Sequence, residues 1–337
     1  MQALVFEGKG KLNLRHLPRP EIGPNEILMR VRAVGICGTD LHIYNGGTRT
    51  KPGTVIGHEF SGEVAAVGKA VDNLTVGDHI VGEHVVACKQ CLYCRTGRPN
   101  LCNRASVLGI DRNGALAEYV AIPADLVYIV PKKIPFEEAA LIEPLSIAVY
   151  AAREVGFLLE KRVGVIGQGP IGLFLDQVMH AAGAQVIGID TLDHRLRFAK
   201  KQGWVDYTIN PKTDDVQRSV DAITKHGLDI AFEAVGKEQT MDLALQVVRR
   251  GAKVLVLGVF ETPAKIDMMQ VVKKELSLVG SWTCAHAFPA SIRLVEEEKV
   301  ELGKLITHRY LFTEAARAFA EASTYNENRI KSVITFE

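Results

Sequence analysis

From Lys161 to Trp282 the chain alternates short apolar runs with helical stretches, and this alternation constrains the fold more than any other feature. KRVGVIG, AQVIGID, DYTIN, LDIAFEAVG, AKVLVLG and LSLVGSW read as strands. IGLFLDQVMHAAG and HRLRFAKKQG read as helices that stop at Gly183 and Gly203. Strand–helix alternation repeated in this way predicts an α/β fold with a doubly wound parallel sheet. The earlier part of the chain has a different grain. EILMRVRAVGI, FSGEVAAVG and DHIVGEHVVA are strand-like and punctuated by Gly, Pro and Asn, and no helical periodicity is sustained before Phe136–Ala152. The length of 337 residues suits two domains, each able to bury a core. The pattern divides the chain into residues 1–147, a second domain over 148–284, and a tail over 285–337. That tail, with a helix around Pro289–Glu298 and the strand RIKSVITF, is expected to return to the first domain.

Chemistry is concentrated in two sets of residues within the first domain. Cys88-x2-Cys91-x2-Cys94-x7-Cys102 places four thiols in the lobe 88–102. Four thiolates close a tetrahedron around zinc and leave no open position, which is a structural site. Disulfides are the alternative, but a chain with six cysteines in 337 residues and no apolar N-terminal segment is not a disulfide scaffold. An iron–sulfur cluster also suits C-x2-C-x2-C. The bacterial ferredoxin run, however, closes with a short gap and a Pro, whereas here the last gap is seven residues and Asn103 follows. The second set, Cys37, His58, Glu59 and Glu143, mixes a thiolate, an imidazole and two carboxylates. A mixed set that leaves room for water or substrate is what catalytic zinc requires.

In the second domain, VGVIGQGPIGL carries Gly167-x-Gly169-x-x-Gly172 between a strand and a helix. Gly167 would permit the tight turn, Gly169 the approach of a pyrophosphate, and Gly172 close packing of helix on strand. Pro170 suits the first helical position, and Ile171 follows it within the helix N-terminus that would face the phosphates. Asp190 ends the next strand, where its carboxylate would accept from ribose hydroxyls and repel a 2′-phosphate; this favours NAD over NADP. Arg195 either lines the adenine side or is a solvated helix cation. Leu257, Gly258, Val259, Ser281 and Trp282, at the ends of the last two strands, are read as further cofactor contacts.

The formal net charge of +1 and the absence of massed basic residues argue against a nucleic-acid partner. No apolar run is long enough to span a membrane, and QALVF follows Met1 with no targeting segment visible. Thiolates kept free for metal imply a reducing compartment, so the cytoplasm is expected.

Taken together, GICGTDLH, GHEFSGEV, the four-cysteine lobe, EPLSIAVYA and VGVIGQGPIGL resemble the zinc-dependent medium-chain dehydrogenases, the superfamily of alcohol, sorbitol and threonine dehydrogenases. The resemblance covers essentially the whole chain. It implies a GroES-like β-barrel catalytic domain and a Rossmann domain, with NAD and two Zn2+ per chain. Cys37 and His58 then match catalytic zinc ligands, and Glu59 and Glu143 match two carboxylates at or beside the metal. Classical alcohol dehydrogenases carry cysteine at the Glu143 position, so the glutamate points to the polyol, butanediol or threonine branches. Thr39 and His42 match the family's proton relay, and Asp40 an anchor for a zinc ligand. His84 faces the pocket, the surface or the core. Sorbitol dehydrogenases carry an Arg-Tyr pair where GSWTCAHAFP places Thr283 and Cys284, which argues against sorbitol itself. GEHVVACKQC and LGIDRNGALAEY resemble threonine dehydrogenases more closely. The expected function is hydride transfer between NAD and a secondary alcohol of a polyol or sugar derivative. L-Threonine or 2,3-butanediol is the alternative, and a non-catalytic structural relative the distant one. A homo-oligomer, dimer or tetramer, is expected through the apolar sheet edge at LSLVGSW.

Overall fold

The computed structural model describes residues 1–47, 50–324 and 328–337. The chain divides into two compact units. The first comprises Met1–Glu143, Ser291–Glu296 and Leu302–Glu337, and the second Pro144–Ala290 and Glu297–Glu301. No helix among the described residues is long and apolar enough to cross a membrane.

The first unit is built from β1 (Gln2–Gly8), β2 (Lys11–His16), β3 (Glu26–Gly35), β4 (Glu59–Val67), β5 (His79–Gly82), β6 (Val85–Val86), β7 (Ser106–Val107), β8 (Tyr119–Pro123) and β9 (Val127–Ile129). In the second unit lie β10 (Arg162–Ile166), β11 (Gln185–Ile189), β12 (Tyr207–Ile209), β13 (Leu228–Glu233), β14 (Val248–Val256) and β15 (Ser277–Gly280). The chain then returns to the first unit for β16 (Ile306–Leu311) and β17 (Lys331–Thr335). Among the described residues, seven strands of the first unit form one sheet along the path β16-β17-β3-β4-β5-β9, with β8 also on β3. β3 is its centre because EILMRVRAVG is apolar on both faces; Ile27, Met29, Val31 and Val34 all lie in one core with Phe60, Ile80 and Ile122. Ser61 donates to the Phe136 carbonyl, tying β4 to the short helix that follows the barrel strands.

Three sequence expectations need correction here. A helix, α1 (Gly38–Tyr44), forms well before Phe136, and a one-turn helix, α2 (Leu92–Arg95), lies within the cysteine lobe. Both are too short to show apolar periodicity, and α1 owes its start to a cap rather than a face: the Asp40 carboxylate accepts from the Cys37 N–H at 2.9 Å. The stretch Phe136–Ala152 is two helices, α3 (Phe136–Ala139) and α4 (Ile142–Val155). DHIVGEHVVA likewise breaks, into β5 and β6.

The second unit forms the expected parallel sheet, in the order β12-β11-β10-β13-β14-β15. From β10 the chain runs outward to β11 and β12, then crosses to β13 on the other side. Buried aliphatic residues of β10, β11 and β13 line its core, among them Ile166, Ile187, Ile189 and Ala231. The reversal of strand order beside β10 opens a crevice at the carboxyl ends of the strands, where ligands bind in such sheets.

Candidate active site

The metal-donor set is assembled by neighbouring strands of the first unit. β3 leads into Cys37, which caps α1, while β4 begins at Glu59 with His58 just before it. Gly35 pairs with Glu59 across β3 and β4, so the ends of both strands deliver their donors to one place. The donor atoms of Cys37, His58 and Glu59 all lie within 4.8 Å of one another, and His58 and Glu59 are buried. Asp40 organises two of the three. One oxygen takes the Cys37 N–H, and the other lies 3.2 Å from His58 Nδ1. An imidazole held at Nδ1 presents Nε2 to a metal. Burial alone would push His58 down, but Asp40 and Cys37 together lift it well above the ordinary histidine range.

Glu143, in the first turn of α4, lies in the same unit, but its carboxylate is taken by His84 at 2.9 Å. The grouped donors are therefore Cys37, His58 and Glu59, with Glu143 beside them on His84. His84 is buried rather than at the surface, and its ring centroid is 5.4 Å from that of His58, beside the donor set. Burial pushes Glu143 up, yet His84, His58 and Lys331 hold it below the usual carboxylate range. Burial and then the charge of Glu143 outweigh Lys331 and His58 and raise Glu59. A half-buried thiol, a buried imidazole and crowded carboxylates form a mixed donor set that fits a divalent cation.

Lys331 is the residue that pattern reading missed. It sits in β17, is 3% exposed, and its ammonium lies 2.7 Å from Glu59 Oε1 and 2.5 Å from Oε2. A lysine at the head of the run KSVIT looks like a strand-end cation. Only the pairing of β17 with β3 brings it to Glu59.

Thr39 and His42 stand three residues apart on α1, one turn along the same face. Gly47 accommodates the imidazole: a Cβ there would overlap the His42 ring.

The cysteine lobe is drawn together as expected. Cys91 and Cys94 Sγ are 3.5 Å apart, and Cys88 and Cys94 Sγ 4.0 Å. A tetrahedron with Zn–S bonds of about 2.3 Å has edges of about 3.8 Å, so one ion fits. The backbone N–H groups of Cys88 and Arg104 donate to Cys102 Sγ. Hydrogen bonds from the Gln90 and Cys91 backbone lead in pulling the Cys88 thiol down to about 6, while burial and neighbouring thiols push Cys94 up to about 12. Thiols this close cannot all ionise without a cation among them. All six cysteines are free of disulfides.

In the second unit the glycine turn has the expected form. Gly167 adopts φ of 100°, Gly169 caps α5 (Pro170–Ala181), and Pro170 is its first residue. A Cβ on Gly172 would overlap the Gly167 carbonyl oxygen, so only glycine lets α5 begin this close to β10. Ile171 lies in the first turn of α5. Asp190 follows β11; its carboxylate accepts from the Gln168 N–H at 2.7 Å and from the Leu192 N–H at 2.9 Å. Arg195 stands 3.8 Å from Asp190, at the carboxylate rather than free in solvent. Leu257 and Gly258 donate to the Glu233 carbonyl, and Ser281 to that of Val256. Val259 and Trp282 are exposed. All these positions lie just beyond the carboxyl ends of parallel strands. Cys284, by contrast, is buried and accepts from the Ser146 hydroxyl at 3.1 Å.

Residues 23–132 match the alcohol dehydrogenase GroES-like domain, and residues 170–297 match the zinc-binding dehydrogenase domain. The chain is 32% identical to sorbitol dehydrogenase of Bacillus subtilis over 99% of its own length and 97% of that protein. It is 36% identical to L-threonine 3-dehydrogenase of Symbiobacterium thermophilum, covering 88% and 87% of the two chains. A zinc-binding dehydrogenase from Sinorhizobium meliloti, solved with NADP, superposes with a TM-score of 0.93 at 29% identity, over 99% and 98% of the chains. The chain belongs to the zinc-dependent medium-chain dehydrogenases, in the branch that holds the polyol and threonine enzymes.

Proposed function

We propose that this chain is a zinc- and NAD-dependent dehydrogenase of a secondary alcohol in a polyol or sugar derivative. The observation that carries the reading is the convergence of Cys37, His58 and Glu59, with Glu143 and His84 beside them. Cys37, His58 and Glu59 would hold the catalytic zinc, with Glu143 available as an exchanging carboxylate. Cys88, Cys91, Cys94 and Cys102 would hold the structural one. Zinc bound there would supply the Lewis acidity that makes an alcohol hydroxyl acidic near neutral pH, and bound NAD would supply the hydride acceptor.

The protein's own residues do the rest. Asp40 orients Cys37 and His58. Thr39 Oγ1 would take the hydroxyl proton of the substrate and pass its own towards the His42 imidazole. In the second unit the glycine turn and the N-terminus of α5 would cradle the pyrophosphate, and Asp190 would accept from the adenosine ribose. Arg195 beside Asp190 weakens the repulsion of a 2′-phosphate without removing it. NAD is therefore preferred by a margin rather than absolutely. Free cysteines support a reducing compartment, the cytoplasm. Edge strand β15 would pair with a second copy.

L-Threonine is the second reading, favoured by the 36% identity to L-threonine 3-dehydrogenase of Symbiobacterium thermophilum. The test is NADH formation by the zinc-loaded protein on polyols, sugar acids, sugar-alcohol phosphates, 2,3-butanediol and L-threonine, each with NAD and NADP. A preference for one vicinal polyol with NAD supports the first reading. Activity chiefly on L-threonine selects the second. Silence throughout with two zinc bound rejects both.

A further inference from the structure

The Glu59 carboxylate has two suitors. One of its oxygens is within 4.8 Å of the Cys37 and His58 donors, yet both oxygens lie on the Lys331 ammonium, at 2.7 and 2.5 Å. The pair is sealed, with Lys331 3% and Glu59 1% exposed. Three strands build it on purpose-made ground. β17 pairs antiparallel with β3, β3 pairs with β4, and Gly35 stands between the two charged side chains. A Cβ on Gly35 would overlap Glu59 Oε2 and lie 3.2 Å from Lys331 Cε, so the missing side chain is what leaves room for the contact. A buried lysine is retained only where a counter-charge is fixed beside it. Glu59 can thus reach a metal only by sharing its carboxylate with Lys331 or leaving it.

We propose that Lys331 is a positioning residue that competes with the catalytic metal for Glu59, keeping this carboxylate a shared, exchangeable ligand and the metal's coordination open. The inference rests on the assignment of a metal to Cys37, His58 and Glu59. Without the metal, Lys331 is the cation that keeps the carboxylate in place. With it, the fixed positive charge lowers metal affinity and prevents Glu59 from closing the site. The consequence is counterintuitive: deleting a site residue should tighten the metal.

The experiment titrates zinc into the metal-free full-length protein against a chromophoric chelator, with Cys37→Ser identifying which equivalent belongs to the mixed site. Lys331→Met, uncharged and of similar length, is expected to bind that equivalent at least tenfold more tightly while its kcat falls. Lys331→Arg, which keeps the charge, should restore wild-type affinity. With cobalt in place of zinc, the visible d–d bands of Lys331→Met should shift towards a more saturated coordination. Unchanged or weaker affinity in Lys331→Met overturns the proposal while leaving the metal assignment intact. A wild type that binds only one equivalent, retained in Cys37→Ser, overturns the metal assignment and the proposal with it. If Lys331→Met does not fold, Lys331→Gln, uncharged but still able to donate to Glu59, takes its place with the same expected tightening, and unchanged or weaker affinity overturns the proposal.

Discussion

At the donor set of the first unit, charge is carried by side chains, and each buried ionisable group faces an opposite one: Asp40 meets His58, His84 meets Glu143, Lys331 meets Glu59. At the glycine turn of the second unit, the groups offered to a ligand belong to the backbone, and the side chains mostly withdraw. A buried acid there, Asp176, is fully enclosed and has an amide, Gln168 Nε2 at 3.3 Å, rather than a cation for company. The difference follows from the ligands each place suits. A small divalent cation demands several donors at bonding distance, and their mutual repulsion must be offset when it is absent. A dinucleotide is long and carries its own charge, so it is better met by N–H groups and a helix terminus than by clustered side chains.

If the two regions work separately, each should break without the other. Cys37→Ser is expected to remove one of two zinc equivalents and lower kcat/KM by about a thousandfold or more, since the Lewis acid goes with it. NADH binding, followed by fluorescence, should persist. Residual activity within tenfold of wild type without that zinc would falsify the metal reading. Gly172→Ala should do the reverse. The added methyl must displace the Gly167 carbonyl, so NADH affinity falls by about a hundredfold while both zinc equivalents remain. Asp190→Ala is milder, raising KM for NAD by about tenfold and narrowing the preference over NADP, because backbone contacts to the pyrophosphate survive.

The smallest effect sharpens the contrast in charge. Burial holds the Asp176 carboxyl well above the ordinary range, with only the Gln168 amide pulling the other way. The folded state therefore binds this proton more tightly than the unfolded chain, and stability falls as pH rises from about 4 towards the folded pKa. Asp176→Asn is expected to raise stability by about 1 kcal/mol or more at pH 8, with the gain vanishing near pH 4. Urea melts at the two pH values measure it, and a gain of equal size at both would show that ionisation is not the cause.

Local chemistry explains what pattern reading found and what it lost. The cysteine lobe, the glycine turn and Asp190 were legible because each is a short run whose spacing sets its geometry. α1 was not: seven residues are too few for periodicity, and its cap, Asp40, bonds to a cysteine N–H that no pattern displays. The alliances of Glu143 with His84 and of Glu59 with Lys331 join residues 59 and 272 positions apart, and sequence spacing carries no information over such distances.

The sequence by itself determined the parallel sheet with its glycine turn, the four-thiol lobe and the types of donor at the mixed site. Periodicity, turn chemistry and ligand spacing are properties of neighbouring residues. Tertiary structure alone decided which donors converge, that His84 faces the site, and that a lysine from the last strand grips the carboxylate of the fourth. Those depend on strand order and register, which are settled by how whole faces bury together, and only folding expresses them.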